Sequence, residues 1–371
     1  MKILLLTTRL NLGGIGIYTT TLAKALKKRG EDVIVASSGG ELLRGLEKAG
    51  IEHVYLPIDT SADIGLHTLK VYLQLSRLIR ERGIQIVHAQ TRVTQVIAAL
   101  LCRKTGSFFV STCHGFFKRR LFRRLFPCWG QRVIAISDAV REHLVNDLKF
   151  PKERVRIIYN GIDIDKFDKV YSEHEKSLIR REYGLRDVTT IGIISRLSDV
   201  KGHRYLLGAL AKLLPRFSDI QLLIVGDGPA HYREGLKELA RTLGIEDSVI
   251  FHEACKDVSM PLSVMDLFCM PSIQEGLGLS ILEAMATGIP VVASDVGGIY
   301  TLIKHKKNGL LVPSKDEYAL ADAILKVLNN KAMAEEMVRL SKEIAREKFA
   351  LGIMVDKVLK LYAEGVNETK V

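Results

Sequence analysis

Short apolar runs rich in leucine and β-branched residues alternate along this chain with longer segments whose apolar positions recur every three or four residues, and the alternation appears in both halves. Continuous apolar runs bounded by turn residues suit parallel strands covered on both faces, and the amphipathic segments between them suit the crossover helices that such strands require. The pattern predicts strands near residues 2–8, 32–37, 53–56, 84–88, 108–112, 132–136 and 155–158, then near 188–195, 220–225, 248–251, 267–270, 290–293 and 310–312. This is an α/β chain with two doubly wound sheets. Residues 160–186 are charged and lack a sustained apolar period, which places a linker there and domain limits at 1–165 and 166–350. From Asp316 to Lys370 the pattern is helical, with a start near Asp316 and a break expected at Gly352. Open α/β sheets bind ligands beyond the carboxyl ends of their strands, so chemistry is sought at those ends and in the cleft expected between the domains.

Composition narrows the class. With 371 residues, 47% of them hydrophobic, the chain can bury two cores and is not intrinsically disordered. Its five cysteines (Cys102, Cys113, Cys128, Cys255, Cys269) form no CxxC pair and no zinc-type spacing, which argues against a disulfide framework and a structural metal and fits a reducing cytosol. The apolar run in MKILLLTTRL is too short for a signal-peptide core, and no stretch reaches the roughly 18 apolar residues of a membrane helix. Charge is unevenly spread. Residues 1–165 hold 26 basic and 14 acidic side chains and the remainder 28 of each, so the net charge of +12 belongs to the first part. Nucleic acid, an anionic membrane and an acidic small molecule all remain compatible with that excess.

Four clusters at strand ends carry candidate chemistry. Leu12-Gly13-Gly14-Ile15-Gly16 follows the first strand and opens a helix, as a phosphate-binding loop or a tight structural turn would. It is not a dinucleotide fingerprint. GxGxxG is absent, and the second strand ends in Ala36-Ser37-Ser38-Gly39 where a ribose-binding acid would stand. Arg196 and Lys201 sit five residues apart between a strand and a helix, where a guanidinium fork and an ammonium can neutralise a diphosphate; two solvated surface cations would look the same. Gly226-Asp227-Gly228-Pro229 follows the next strand. Glu275-Gly276-Leu277-Gly278-Leu279 continues to Glu283, giving a glycine loop whose amides open a helix and two carboxylates able to accept hydrogen bonds from sugar or ribose hydroxyls.

In this order, with His114-Gly115 after the fifth strand, Ile134-Ala135-Ile136-Ser137, Asn160-Gly161-Ile162-Asp163, Gly288-Ile289-Pro290-Val291 and Asn308-Gly309, these motifs resemble those of retaining glycosyltransferases of the GT-B fold, family GT4 (glycosyl transferases group 1), over nearly the whole chain. The resemblance implies two Rossmann-like domains facing a cleft, the first on the acceptor side and the second binding a nucleotide sugar. It implies that Gly14 and Gly16 line the donor phosphate and acceptor entrance, and that Arg196 and Lys201 hold the departing diphosphate. Glu275 and the amides of Gly276 to Leu279 would bind the donor sugar, Glu283 the ribose, and His114 the sugar from the first domain; Gly226 and Gly228 would belong to the donor loops. Residues 351–371 would cross back to the first domain after Phe349. The donor would be a UDP-, GDP- or ADP-linked sugar acting as co-substrate, with no other cofactor and no metal. Ser195 stands where the resembling pattern carries glycine, and Asp163-Ile164-Asp165 mimics a metal-binding acid pair of another fold but lies at the domain junction, where it is read as structural.

Residues 116–126, Phe116-Phe117-Lys118-Arg119-Arg120-Leu121-Phe122-Arg123-Arg124-Leu125-Phe126, carry five cations and no acid. As a helix they would place Phe117 with Leu121, Phe122, Leu125 and Phe126 on one arc and Arg119, Arg120, Arg123 and Arg124 on the other. That face suits an anionic bilayer surface, with the helix packed on the sheet as the plainer reading. With the glycosyltransferase resemblance, it points to a lipid-linked or cell-envelope glycan acceptor and to an enzyme peripheral on the cytoplasmic face of the inner membrane. Trp129 and Cys128 read as packing, His252-Glu253 as the loop near the nucleotide base, and His88 as an acceptor-side strand end. A sugar-nucleotide epimerase on a similar fold and a non-catalytic nucleic-acid- or membrane-binding protein are the alternatives; no recognition helix or stacking sheet supports nucleic acid.

Overall fold

The computed structural model describes residues 1–58, 66–117 and 126–368. The chain divides into two compact units, 1–161 joined by 351–371, and 162–350.

In the first unit the elements run β1 (Lys2–Leu6), α1 (Gly14–Lys28), β2 (Asp32–Ser37), α2 (Leu43–Glu47), β3 (Glu52–Tyr55), α3 (Leu66–Arg82), β4 (Ile86–Ala89), α4 (Arg92–Thr105), β5 (Phe108–Cys113), β6 (Arg132–Ala135), α5 (Asp138–Glu142) and β7 (Val155–Ile157). The strands form one parallel sheet in the order β3-β2-β1-β4-β5-β6-β7, so the order reverses between β1 and β4. Strand geometry sends alternate side chains to opposite faces. In β1, Ile3 and Leu5 join Tyr18, Leu22 and Leu26 of α1, whereas Leu4 and Leu6 join Val71, Leu75 and Ile79 of α3 and Ile97 and Leu101 of α4.

The second unit runs α6 (Ile164–Phe167), α7 (Glu173–Glu182), β8 (Thr189–Ile194), α8 (His203–Leu213), β9 (Ile220–Val225), α9 (Ala230–Thr242), β10 (Val249–His252), α10 (Ser259–Leu262), β11 (Leu267–Met270), α11 (Leu279–Thr287), β12 (Val291–Ser294), α12 (Ile299–Leu302), β13 (Leu310–Val312), α13 (Glu317–Leu328) and α14 (Lys331–Phe349). Its parallel sheet has the order β10-β9-β8-β11-β12-β13. Ile191 and Ile193 of β8 pack with Leu206, Leu207 and Leu210 of α8, and Leu320, Ile324 and Val327 of α13 share that core. Asp316 caps α13 by accepting from the Ala319 amide at 2.9 Å.

Every strand expected from the apolar pattern is present, but three local readings need correction. The boundary between units falls at Gly161/Ile162, ahead of Asp163-Ile164-Asp165 rather than after it. The charged stretch read as linker contains α6 and α7, the latter started by a capping box in which the Ser172 hydroxyl accepts from Glu175 and the Glu175 carboxylate accepts from the Ser172 amide. A box of this kind needs no apolar period, which is why periodicity missed it. The helical tail breaks at Ala350, whose extended backbone separates α14 from α15 (Leu351–Glu368), and Gly352 lies inside α15.

α15 packs on the first unit's sheet. Met354, Val355, Val358, Leu361 and Tyr362 join the core formed with α1, and Gly365 lies so close to Phe108 that a Cβ there would overlap its ring. Phe108 is fully buried and cannot swing aside. Gly365→Ala is therefore expected to destabilise the first unit by about 1–3 kcal/mol through overpacking, seen as a lower midpoint in urea unfolding.

Candidate functional site

The loops leaving the carboxyl ends of β8, β9, β11 and β12 are held together by backbone contact. After β8 the Leu197 amide donates to the Asp227 carbonyl at 2.8 Å, and the Ile273 amide donates to Val200 at 2.8 Å. Glycines make this approach possible. A Cβ at Gly226 would overlap the Ser195 carbonyl oxygen, one at Gly228 the Leu197 oxygen, and one at Gly202, whose φ is +73°, the Pro271 oxygen. Gly298 is set likewise against Gly276, and its amide donates to the Glu275 carbonyl at 2.8 Å. Gly226 and Gly228, expected as donor-loop residues, thus shape the site by letting its loops touch.

This packing brings Lys201 and Glu275 into an ion pair with both side chains mostly buried. The other Glu275 oxygen accepts from the Gly276 amide at 3.2 Å. The loop then enters α11 through Gly278, which has a φ of +94°, so the first-turn amides at Leu279 and Ser280 stand at the positive end of the helix dipole. Leu277 is buried. Arg196 is exposed on the same loop as Lys201. An ammonium, a carboxylate and a helix N-terminus in one place suit a ligand carrying both phosphate and hydroxyl groups.

Glu283, one turn into α11, has a different environment. Burial pushes its carboxyl up to about 7 against the opposing pull of the Lys166 ammonium from α6. Lys166 itself pairs with Asp257 at 3.1 Å. The two glutamates therefore sit beside separate cations. At the carboxyl end of β10, the His252 ring lies 4.3 Å from that of Tyr183.

His203 was not singled out by the sequence, although a histidine directly after Lys201-Gly202 was a visible signal. It opens α8, is fully buried, and its Nε2 shares a hydrogen bond of 3.1 Å with Ser195 Oγ. Burial, then the Lys201 charge, push the imidazole down to about 4, so it is neutral at pH 7.

His114, Gly14 and Gly16 belong to the first unit. His114 Nε2 lies 2.9 Å from Gln90 Oε1, its ring meets Tyr18 edge-on at 4.9 Å, and burial pushes it down to about 3. Gly14 opens the first turn of α1 with open space over its Cα, whereas Gly16 is pressed against the Asn11 carbonyl, where a Cβ would overlap. His88, read as lining the acceptor side, is instead fully buried between Tyr362 OH at 2.6 Å and Thr112 Oγ1 at 2.7 Å, joining α15 to the sheet. Phe117, expected as part of a helix, lies outside any helix; its amide donates to His143 Nε2 at 3.0 Å and its ring lies 6.0 Å from that of Trp129. Arg119, Arg120, Arg123 and Arg124 lie outside the described residues. Asp163 stands at the start of α6. Among the described residues there is no cluster of three or more His, Cys, Asp or Glu side chains able to hold a metal, and no helix long and apolar enough to cross a membrane.

Residues 12–166 match the model of Glycosyltransferase Family 4, and residues 188–330 that of Glycosyl transferases group 1. The chain belongs to this glycosyltransferase family. It is 27% identical to the N-acetyl-alpha-D-glucosaminyl L-malate synthase of Bacillus anthracis over 97% of this chain and 96% of that one. It is 28% identical over 74% of each chain to a GDP-mannose-dependent alpha-(1-6)-phosphatidylinositol monomannoside mannosyltransferase of Mycobacterium tuberculosis. The crystal structure of Anabaena Alr3699/HepE in complex with UDP and glucose superposes with a TM-score of 0.88 at 24% identity, covering 98% of this chain and 99% of that one. The fold is that of GT-B glycosyltransferases, with two Rossmann-like domains.

The raised Glu283 carboxyl has a thermodynamic consequence. The folded state holds a proton there that the unfolded chain releases near its ordinary value of 4.5, so stability falls as pH rises from about 4.5 to about 7 and is then level. Glu283→Gln is expected to match the parent near pH 5 and to exceed it by about 1–2 kcal/mol at pH 8, partial exposure being discounted, as measured by denaturant unfolding at both pH values.

Proposed function

We propose that the protein transfers a glycosyl group from a nucleoside diphosphate sugar to a lipid-linked or cell-envelope glycan acceptor, with retention of anomeric configuration and without a further cofactor or metal. The observation that carries the donor half is the Lys201–Glu275 pair, set on loops packed backbone to backbone at the α11 N-terminus. Lys201 has three N–H donors, so it can keep Glu275 while giving another to a phosphate oxygen. Arg196 on the same loop adds a bidentate fork, and the two cations stabilise the diphosphate as negative charge builds on it. Glu275 with the α11 amides accepts and donates hydrogen bonds to the sugar, and Glu283 accepts from the ribose diol. The bond from the anomeric carbon to the phosphate oxygen breaks, and the acceptor oxygen attacks on the face the diphosphate leaves. The acceptor proton passes to a diphosphate oxygen, and the neutral imidazole of His114 suits hydrogen bonding to a sugar hydroxyl. The relatives' own names support a nucleotide sugar: one is GDP-mannose-dependent, and Anabaena Alr3699/HepE was crystallised with UDP and glucose.

The acceptor reading rests on the first unit's excess of cations and on the Mycobacterium relative, which is named for a phosphatidylinositol mannoside. At about 1 kcal/mol per cation near an anionic surface, Lys118, Arg119, Arg120, Arg123 and Arg124 would together supply on the order of 5 kcal/mol, enough for reversible attachment at the cytoplasmic face of the inner membrane. Nucleic acid has no part in this reading.

Two measurements test it. Purified protein incubated with UDP-, GDP- and ADP-sugars and a lipid-linked acceptor is expected to release free nucleoside diphosphate and form a product whose anomeric configuration, read by NMR, matches the donor. Lys201→Ala and Glu275→Ala should each lower turnover at least about a hundredfold while staying folded. Wild-type turnover in either variant would defeat the site assignment, and an isomerised nucleotide sugar without free nucleotide would show an epimerase. Separately, Arg119→Glu with Arg120→Glu, Arg123→Glu and Arg124→Glu should abolish sedimentation with phosphatidylglycerol vesicles; unchanged sedimentation would refute membrane docking.

A further inference from the structure

The loop from Ser195 to His203 carries both cations of the donor site, and its two ends are joined by a side-chain hydrogen bond, Ser195 Oγ to His203 Nε2 at 3.1 Å. Between those ends the chain makes a tight turn, with the Lys201 amide donating to Ser198 at 3.0 Å and the Gly202 amide to Asp199 at 3.1 Å. The turn packs on Pro271 through Gly202 and on Asp227 through Leu197. Backbone contacts thus fix the middle of the loop. Its base, where β8 ends and α8 begins, is closed by the side-chain bond. His203 is fully buried, with the Tyr232 ring edge-on at 6.3 Å, so its imidazole has a fixed orientation from which to hold Ser195.

We propose that Ser195 and His203 are positioning residues for the diphosphate-binding loop: their hydrogen bond sets Arg196 and Lys201 in place before the donor arrives. This deepens the donor-site reading above and rests on it. Neither side chain needs to touch the reacting atoms. Loss of the bond lets the loop sample other arrangements, so ordering it becomes a cost of donor binding and appears in affinity rather than in the chemical step. A neutral hydrogen bond of this kind corresponds to about a three- to tenfold effect on binding.

The test uses the full chain, with UDP, GDP and ADP as probes in isothermal calorimetry and the reactive nucleotide sugar in steady-state kinetics. Ser195→Ala, a small change at a half-buried position, is expected to weaken nucleoside diphosphate binding about three- to tenfold and to raise the donor KM equally, with kcat changed less than about twofold. His203→Ala should do the same, and the double variant should bind no more weakly than the worse single one, because one shared bond is removed. His203→Gln, whose amide nitrogen reaches near the Nε2 position, should restore most of the affinity. Unchanged binding by folded Ser195→Ala, or additive losses in the double variant, would overturn the positioning role while leaving the donor site intact. Failure of the wild-type protein to bind any of the three nucleotides would overturn the donor-site reading and this inference with it.

Discussion

The second unit depends on one constraint: the loops beyond its strands must approach at backbone contact. Side chains would hold neighbouring loops apart, and at Gly202, Gly226, Gly228 and Gly298 even a methyl group would occupy the space of a facing carbonyl oxygen. With the glycines in place, carbonyl and amide groups of adjacent loops meet directly, as Leu197 meets Asp227 and Gly298 meets Glu275. The loops then behave as one surface rather than as four flexible connections. Lys201 and Glu275, far apart in sequence, become an ion pair because their loops cannot separate. Rigidity of this kind suits charge stabilisation, since groups already aimed at a ligand need no reorganisation when negative charge develops.

The first unit is organised by a different means. Its sheet alternates apolar residues to two cores, and one of those cores is completed from the far end of the chain by α15. Where β4 and β5 end, His88, Thr112 and Tyr362 bury a chain of hydrogen bonds in the same region as Tyr18, Gln90 and His114. Burial keeps both histidines neutral, which suits hydrogen bonding to hydroxyls better than anchoring an anion. The first unit's net positive charge includes the basic last turns of its helices, as at Lys27, Lys28, Arg103 and Lys104, and the arginines of residues 119–124.

Much of the architecture was legible in the apolar pattern because strands buried on both faces leave uninterrupted runs, whose short length and flanking turn residues separate them from buried helix segments. The limits of the pattern are equally physical. α7 begins with a capping box, a polar device without periodicity, and the break between α14 and α15 falls at an alanine whose backbone turns for tertiary reasons. Phe117 looked like part of an amphipathic helix, yet it lies outside any helix with its ring near that of Trp129, and a sequence pattern does not say which neighbour an aromatic ring will find. His88 looked like a strand-end ligand and proved to be a buried bridge to α15, a partner lying 274 residues away in the chain.

Local physics was enough, from the sequence alone, to determine the two parallel sheets, the glycine-bearing loops at their strand ends and the chemical types of Arg196, Lys201, Glu275 and Glu283. Tertiary structure alone decided how those groups are arranged: that Lys201 meets Glu275, that Glu283 is buried enough to hold its proton to about pH 7, and that His203 reaches back to Ser195. The division follows from range. Periodicity, capping and turn chemistry act over a few residues and are written in order along the chain, whereas burial and pairing depend on which distant segments the glycines and the returning helix allow into contact.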